Sequence, residues 1–549
     1  MNLSSDSPLV CIVGAGDSCK STLLLAIEWA LSPNYYLDIT DTDFFNADYE
    51  SEISVRVVIE NPPSELQKES KFGFYLVNPA AIGSDDDPVE GGAVGLAVEM
   101  RIGSDLEPQW NVMKNGRDPK PISAKDRREI GVLALGGSFQ ADMTWGRASI
   151  LQRFAENGSS TIKNASISAM REMCKMVFPD LDSVTAEIPE YVKEYGALPV
   201  GTSVSNRYLM QRPKLSSLIG MYEGDAPLSQ HGMGTQRLLS MALSLNSSPD
   251  GGILLIDEIE AGLEPYRLCN LISVMREQSK ESGSQVIFTS HSPSAITECH
   301  ATEVHIANRD ISGLLKVIPI GTYNQETQDS IQRQLRRTPF SLLGRRIIVC
   351  EGATEVGILR ALDDWLLGQD DECRMVSTGT FPVQAGGGTL MFGHALLLKD
   401  AGFDTCIFMD SDIEEYESKK ADAEEKGIPV FSWKPGNKTE TAMISDAPDA
   451  SIKDLLGKII DRYGEDSVTQ RFENEGASLH DVLISEKIDE DTRSHISAAS
   501  TWKGGGWFKS IEGGTIIGSS ILGHYDDLKK NSDAKTILDQ LRKWIVDAR

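Results

Sequence analysis

Apolar and polar residues are patterned in two ways along the first half of the chain. Short continuous apolar runs at Leu9–Val13, 252–256 and Gln285–Thr289 are typical of parallel strands buried on both faces. Ile53–Glu60 and 93–102 instead alternate apolar with polar residues, as half-buried antiparallel strands do. These patterns predict a mixed α/β unit that contains both parallel and antiparallel strands.

Helical periodicity appears at two places in this half. Residues 21–31 are periodic and follow the first strand after a Gly-rich turn, which predicts a strand–loop–helix unit. Residues 164–195 are periodic with few strand signals. They predict a helical insertion over about 155–215.

The pattern after residue 338 predicts a second α/β unit. The stretch 324–338 is rich in Gln and Arg without an apolar face, so we interpret it as a connector. Arg346–Cys350, 405–409 and 429–433 are again buried-type strands separated by helical segments. We therefore expect one domain over 1–335 and another over 339–549.

Composition places the chain among globular proteins and favours the cytoplasm. Its 549 residues are too many for one core, and 40% hydrophobic with 24% charged residues is an ordinary balance. No apolar run is long enough to cross a bilayer, and the first residues do not form a signal peptide. The eight cysteines include no C-x-x-C pair, which fits a reducing compartment without a disulfide framework or zinc finger.

The net charge of −28 restricts which partners the chain can bind. Nucleic acids are held mainly through their phosphates, and a strongly acidic protein repels them at long range. Nucleic-acid binding would therefore need local basic patches, bridging metal ions or a basic partner.

A P-loop-like turn follows the first strand. Such a loop wraps phosphates with backbone N–H groups, while its lysine meets the β/γ-phosphates and its Ser hydroxyl ligates Mg²⁺. The residues predicted to hold the nucleotide here are Gly14, Gly16, Lys20, Ser21 and Thr22. Cys19 occupies the position of the second P-loop glycine, where a side chain can clash or force an unfavourable φ. Taken alone, the segment could also be an ordinary Gly-rich turn.

Three further segments appear in the order that P-loop ATPases use. Asp257 and Glu258 end an apolar strand, where such carboxylates hold Mg²⁺ and polarise the attacking water. His291 follows the next strand, where a histidine can contact the γ-phosphate. The segment 228–237 supplies small and hydroxyl residues before a helix, with Ser229, Gly232 and Gly234 as the candidates.

Together these motifs resemble an ABC-type ATPase. In that class the signature segment of one subunit completes the nucleotide site of another, so the resemblance implies ATP binding by a homodimer or a higher homo-oligomer. The helical insertion is a candidate contact surface. Cys19 and the short segment before the first strand depart from the pattern, so nucleotide binding is expected and ATP hydrolysis is left open.

Acidic residues follow two strands of the second unit. Glu351 comes directly after Arg346–Cys350, with Glu355 four residues on at the start of a helix. Asp410 and Asp412 follow the strand 405–409 and can face the same side. Because open α/β sheets gather functional groups at the carboxyl ends of their strands, these oxygens predict a site for Mg²⁺ or Mn²⁺. For either pair alone, a helix cap or a turn would be an equally good explanation.

These acidic motifs resemble the Toprim fold, a Rossmann-like α/β domain. An ABC-type ATPase followed by Toprim, with E-x-x-x-E in the first motif, resembles the OLD (overcoming lysogenization defect) family of ATP-dependent nucleases. The resemblance implies that Glu440 joins the metal site and that a late lysine stabilises the charged transition state. Of Lys503 and Lys509 we prefer Lys509. The implied reaction is metal-assisted hydrolysis of DNA phosphodiesters by an endonuclease.

Two other functions fit the same motifs. One is an ATPase clamp resembling RecF or SMC heads, in which the second unit only binds phosphate; the acidic charge favours it. The other is a nuclease effector that a partner component restrains, since members of the family often act in defence against phage. The sequence leaves DNA versus RNA, the activating trigger and the partner open.

Overall fold

The computed structural model describes most of the chain. The described residues are 2–3, 7–35, 37–80, 87–88, 91–135, 168–169, 171–176, 178–185, 221–247, 250–310, 312–321, 325–369, 373–411, 413–501 and 505–547. They form two compact units, one built from Met1–Leu25 with Ile287–Arg549 and the other from Ala26–Val286. The predicted domain limits at 335 and 339 stay a prediction.

The strands predicted from the sequence are all present, each within two residues of its expected ends, and further strands join them. In chain order they are β1 (Leu9–Val13), β2 (Ile53–Glu60), β3 (Leu76–Val77), β4 (Gly95–Ile102), β5 (Pro108–Met113), β6 (Lys120–Pro121), β7 (Val132–Leu135), β8 (Tyr222–Glu223), β9 (Ala226–Pro227), β10 (Ile253–Ile256), β11 (Gln285–Thr289), β12 (Val304–Arg309), β13 (Leu315–Pro319), β14 (Arg346–Cys350), β15 (Thr380–Gln384), β16 (Asp404–Met409) and β17 (Val430–Ser432).

Most of the helices within the described residues lie in the second half of the chain. In chain order they are α1 (Lys20–Leu31), α2 (Ala124–Ile130), α3 (Pro179–Thr185), α4 (Met233–Ser247), α5 (Pro265–Ser282), α6 (Pro293–Glu298), α7 (Gln325–Arg337), α8 (Ala353–Leu366), α9 (Leu390–Asp400), α10 (Glu417–Glu425), α11 (Thr439–Asp446), α12 (Asp449–Tyr463), α13 (Glu465–Asn474), α14 (Leu479–Ile484), α15 (Glu490–Ser500), α16 (Ile511–Leu522) and α17 (Asp533–Val546). None of the helices that the structure describes is both long and apolar enough for a bilayer span.

The unit Ala26–Val286 contains the predicted antiparallel strands. β2, β4, β5 and β6 pair in that order, and β3 adds to β4. β7 and β10 pair in parallel in the same unit. Most of the predicted helical insertion lies outside the described residues; within it, α3 is helical as expected.

The other unit carries the P-loop strand and the second α/β region. β1 pairs in parallel with β12, and β12 pairs antiparallel with β13. The four parallel strands β15, β14, β16 and β17 form a sheet in that order. Because they run in one direction, the residues that follow β14 and β16 meet at one edge. The predicted α/β fold class is confirmed.

The connector is helical, contrary to its interpretation as a stretch without an apolar face. α7 spans Gln325–Arg337, and its Ile331 and Leu335 are buried. These residues are four apart and lie on one face of the helix. Two apolar residues among many polar ones are a weak periodic signal, so only tertiary packing revealed this face.

Close packing of α8 against α16 positions α16 and the residues just before it beside the sheet. A Cβ at Gly357 would lie 2.1 Å from the carbonyl oxygen of Ile511, and one at Gly514 would lie 2.2 Å from that of Thr354. The Thr354 hydroxyl donates to the carbonyl of Phe508 at 2.8 Å. The two helices therefore approach at backbone distance, and the residue that follows Phe508 is held near the start of α8.

Candidate functional site

The P-loop-like turn closes around its own lysine. Lys20 is 5% exposed, and its Nζ donates to the carbonyls of Gly14 at 3.1 Å and Ala15 at 2.8 Å and to the hydroxyl of Ser18 at 3.1 Å. A Cβ at Gly14 would lie 2.2 Å from the carbonyl oxygen of Ala307, so a side chain does not fit there. The loop thus places its cation at its centre.

Cys19 adopts the strained backbone that the sequence predicted for this position. Its φ is +60°, in the left-handed region that glycine adopts at little cost and other residues avoid. Asp17 has the same φ of +60°. The loop therefore keeps a conformation suited to glycine although cysteine occupies it.

Replacing Cys19 by residues of opposite conformational preference tests this strain. We expect Cys19→Gly to raise the free energy of unfolding by about 0.5–1 kcal/mol, since the left-handed conformation costs other residues about 1–2 kcal/mol and glycine's larger unfolded-state entropy offsets part of that. Cys19→Val, whose branched side chain tolerates positive φ worst, should lower it. Calorimetric melting compares the two variants. A shift of the same sign in both would contradict the assignment of strain.

His291 belongs to the same compact unit as the P-loop. The amide of Ser290 donates to the carbonyl of Ile12 at 3.2 Å, so the segment that leads into His291 runs beside β1. The P-loop begins directly after Val13, the last residue of β1. His291 and the loop therefore follow neighbouring strands, as their motifs predict.

The remaining predicted nucleotide residues lie in the unit Ala26–Val286. Ser229 and Gly232 precede α4, and Gly234 lies in its first turn, where a Cβ would meet the carbonyl oxygen of Gly262 at 2.3 Å. The Gln236 side chain donates to the carbonyls of Ser229 at 2.9 Å and His231 at 2.7 Å. These contacts fix the turn before the helix.

Asp257 and Glu258 follow β10, and their carbonyls accept hydrogen bonds from an arginine that the sequence analysis did not select. Arg237 Nη2 donates to the carbonyls of Asp257 at 2.7 Å and Glu258 at 2.5 Å, and burial lowers its pKa. Glu258 has a φ of +47°, a strained conformation of the kind that clusters at functional sites. This arginine is buried on α4 and faces the acidic end of β10. The sequence alone does not show that these two segments meet, so only the tertiary structure could identify it.

Two of the predicted metal ligands are in direct contact at the edge of the parallel sheet. The amide of Asp410 donates to Glu351 Oε2 at 3.0 Å, and the amide of Glu351 donates to the carbonyl of Phe408 at 3.1 Å. Adjacent strands β14 and β16 deliver these residues. The two acidic motifs therefore share one location.

Thr439, which the sequence analysis did not select, joins two of these acids. Its amide donates to Asp410 Oδ1 at 2.7 Å, and its hydroxyl lies 2.7 Å from Glu355 Oε1 and in contact with Asp410 Oδ1. The Trp433 indole donates to the same hydroxyl at 2.7 Å. A hydroxyl has one proton, so it can donate to only one of these two carboxyls. The contact with the other becomes a hydrogen bond when that carboxyl carries a proton. The signal was a threonine before an acid at a helix start.

Burial and mutual repulsion make these carboxyls weak acids. Glu355 is 3% exposed, and burial, followed by the charge of Asp410, raises its pKa to about 7. Burial also raises the pKa of Asp410, reinforced by Glu440 and opposed by the hydrogen bonds from Thr439. Like charges gathered in a buried site favour a bound cation or a proton.

Lys509 and Glu440 complete the group. Lys509 Nζ lies 2.8 Å from Glu440 Oε1, and Glu440 is 1% exposed. Burial lowers the pKa of Lys509, but the contact with Glu440 and the charges of Asp410 and Glu355 outweigh it, so the pKa is raised. Lys503, the alternative lysine, lies outside the described residues.

The donor set fits a hard divalent cation. Its members are carboxylate oxygens, and Glu440 Oε2 is buried without a hydrogen-bond partner among the described residues. Asp412 lies outside the described residues. Within the described ranges, no three His, Cys, Asp or Glu side chains are arranged to hold one ion. The acids are thus gathered, and their arrangement around an ion stays a prediction.

The raised pKa of Glu355 predicts a pH dependence of stability in the metal-free protein. Between about pH 4.5 and about pH 7 the folded protein keeps a proton that the unfolded chain has lost, so raising the pH lowers the free energy of unfolding. Above that window the penalty is constant. In EDTA, we expect the wild type to lose melting temperature from about pH 5 to about pH 8, and Glu355→Gln to lose less. The exposed control Glu424→Gln should follow the wild type; equal slopes for all three proteins would refute the assignment.

Two comparisons relate the chain to known proteins. Residues 190–297 match a family described as "AAA domain, putative AbiEii toxin, Type IV TA system". The Old nuclease of Escherichia phage P2 is 22% identical over 461 residues, which cover 74% of this chain and 74% of that protein.

Solved structures of SMC heads are also similar. The SmcHead bound to the C-winged helix domain of ScpA has a TM-score of 0.32 at 15% identity, covering 58% of this chain and 91% of that one. The SMC head domain from Thermotoga maritima has a TM-score of 0.26 at 15% identity, covering 58% and 92%. The predicted resemblance of the chain to the OLD family of ATP-dependent nucleases is confirmed by its similarity to the Old nuclease.

Proposed function

We propose that this protein is an ATP-regulated, divalent-metal-dependent endonuclease that cleaves DNA. The observation that carries the proposal is the contact network joining Glu351, Glu355, Asp410 and Thr439 at one edge of a parallel sheet. Similarity to the Old nuclease supports nuclease activity, and the AAA-domain match supports ATP binding. We assign the ATPase to residues 1–335 and a Toprim domain to 339–549.

The acids of the site would bind the metal, and Thr439 orients two of them. Glu351, Glu355, Asp410, Asp412 and Glu440 would hold Mg²⁺ or Mn²⁺. A divalent cation bound there supplies a water of lowered pKa and neutralises charge on the phosphate. Thr439 orients Asp410 and Glu355 through its amide and hydroxyl. Glu355, with a pKa of about 7, can hold or release a proton at neutral pH.

Lys509 provides the positive charge for the transition state. Its raised pKa keeps the ammonium protonated at neutral pH, and Glu440 holds it at 2.8 Å. A fixed cation beside the scissile phosphate offsets the charge that develops on the equatorial oxygens. We favour hydrolysis over transesterification, which needs a nucleophilic tyrosine, because no tyrosine is among the described residues that gather in this site.

The ATPase part would act as a gate. P-loop, signature-like and acidic segments are all present, and in ABC-type ATPases nucleotide binding joins two subunits. We propose that ATP promotes a homodimer and that DNA is cut in that state. A role in anti-phage defence and a second component remain predictions from the family resemblance.

The direct test is cleavage by the purified full chain. Supercoiled, linear and single-stranded DNA are incubated with Mg²⁺ or Mn²⁺, with and without ATP, and the products are resolved on gels. Cutting that requires the metal and responds to ATP supports the proposal. Binding of DNA without any cutting under all conditions would replace it by an ATPase clamp.

A further inference from the structure

The helix α7 carries a positive face in a chain whose net charge is −28. Arg333, Arg336 and Arg337 are exposed, whereas Ile331 and Leu335 of the same helix are buried. We call the three arginines the arginine face. Asp329 lies one turn before Arg333, but the chain from 330 to 345 contains no Asp or Glu, so Arg336 and Arg337 have no acidic residue within six positions in sequence.

Contacts with the described residues leave the arginine face unpaired in three dimensions as well. Many exposed cations of this protein form salt bridges, as Arg374 does with Asp363 at 2.8 Å. Within the described part of the chain, none of the three guanidinium groups of the arginine face forms a salt bridge or donates a hydrogen bond. Their donors are available to a ligand, and guanidinium groups match phosphate oxygens in geometry as well as charge.

Two contacts tie α7 to the acidic edge of the parallel sheet. The Gln334 side chain donates to the carbonyl of Gln384, and Thr338 holds the other end of that amide, with its hydroxyl donating to Gln334 Oε1 at 2.9 Å. Gln384 is the register partner of Cys350, and Glu351 is the next residue. The arginine face therefore belongs to a helix that contacts β15 opposite Cys350, the residue before Glu351.

Arg333 lies near enough to His394 for its charge to act on that side chain. His394 of α9 is buried, and after burial itself, the charge of Arg333 is what lowers its pKa. α9 begins two residues after Gly388, in the loop that follows β15. Arg333 thus lies close to the helix that leaves the same edge of the sheet.

We propose that the arginine face binds the phosphate backbone of DNA and guides the strand to the acidic site. This rests on the proposed DNA substrate and adds where the strand is held. An acidic protein repels DNA at long range, so a local, unpaired cluster of arginines is what binding requires. Contacts to phosphates position the duplex without reading its sequence.

The test compares two triple variants of the full chain that change charge equally. Arg333→Gln/Arg336→Gln/Arg337→Gln removes the arginine face, and Lys487→Gln/Lys529→Gln/Lys530→Gln removes three exposed lysines elsewhere in the same unit. Binding of a fluorescent DNA duplex is measured by anisotropy in EDTA, so that cleavage is absent, over a range of salt concentrations. Circular dichroism and melting confirm that both variants fold.

We expect the arginine variant to bind about 10- to 100-fold more weakly at about 0.1 M salt, and the slope of log K against log salt to flatten by about 2–3, at about 0.9 per lost phosphate contact. The lysine variant should keep the wild-type slope, because screened charges at a distance contribute little. Equal slopes in the two variants would overturn the inference.

The outcomes separate this inference from the proposed function. If the wild type cuts DNA but both variants bind alike, the nuclease stands and the arginine face is wrong. If the wild type never cuts DNA, but the salt dependence of DNA binding flattens only in the arginine variant, the arginine face is a DNA-binding surface on a protein that is not a nuclease.

Discussion

Asp410→Asn should abolish DNA cleavage, with a rate at least about 1000-fold below that of the wild type. Asp410 contacts Glu351 and Thr439, and the charges of Glu440 and Lys509 act on it. Removing the charge of Asp410 therefore changes the electrostatics of the whole site. Stabilisation of the transition state by a bound metal contributes several kcal/mol, and each 1.36 kcal/mol is a factor of ten in rate. The rate is measured from the loss of supercoiled DNA in Mg²⁺.

The control for this variant is Asp422→Asn, which removes an exposed carboxylate on α10. It should cut like the wild type. Asn keeps the size of Asp and can still accept the hydrogen bond from the Thr439 amide, so the fold is expected to survive; the melting temperature verifies this. Cleavage by Asp410→Asn within about tenfold of the wild type would exclude the acidic site as the catalytic centre.

Lys20→Ala should weaken ATP binding about 100-fold. The ammonium sits at the centre of the P-loop, held by Gly14, Ala15 and Ser18, where a β/γ-phosphate would meet it. A hydrogen bond to a charged group contributes about 1.5–3 kcal/mol, and each 1.4 kcal/mol is tenfold in affinity. Titration with a fluorescent ATP analogue measures the change.

The same variant separates nucleotide gating from chemistry. Lys20 lies outside the acidic group, so cleavage without ATP should match the wild type while any response to ATP is lost. Lys426→Ala, an exposed lysine after α10, is the matched control and should bind ATP normally. If Lys20→Ala bound ATP as tightly as the control does, the loop would not be a nucleotide site.

The sequence by itself determined the strand ends and the acids that follow them. Arg346–Cys350 and the run before Asp410 are continuous apolar segments, and burial of both faces of a parallel strand requires such runs. The polar residues after them must then leave the sheet at its carboxyl edge, which brings Glu351 and Asp410 together. The strain at Cys19 was predicted in the same local way.

Only the tertiary structure decided which distant residues complete the site. Thr439, Glu440 and Lys509 reach the acids because α11 starts beside Asp410 and because Gly357 and Gly514 let α8 and α16 approach at backbone distance. The amphipathic face of α7 likewise depends on what Ile331 and Leu335 pack against. Local sequence determines where an element starts and ends, whereas the partners of its side chains depend on packing between segments far apart in the chain.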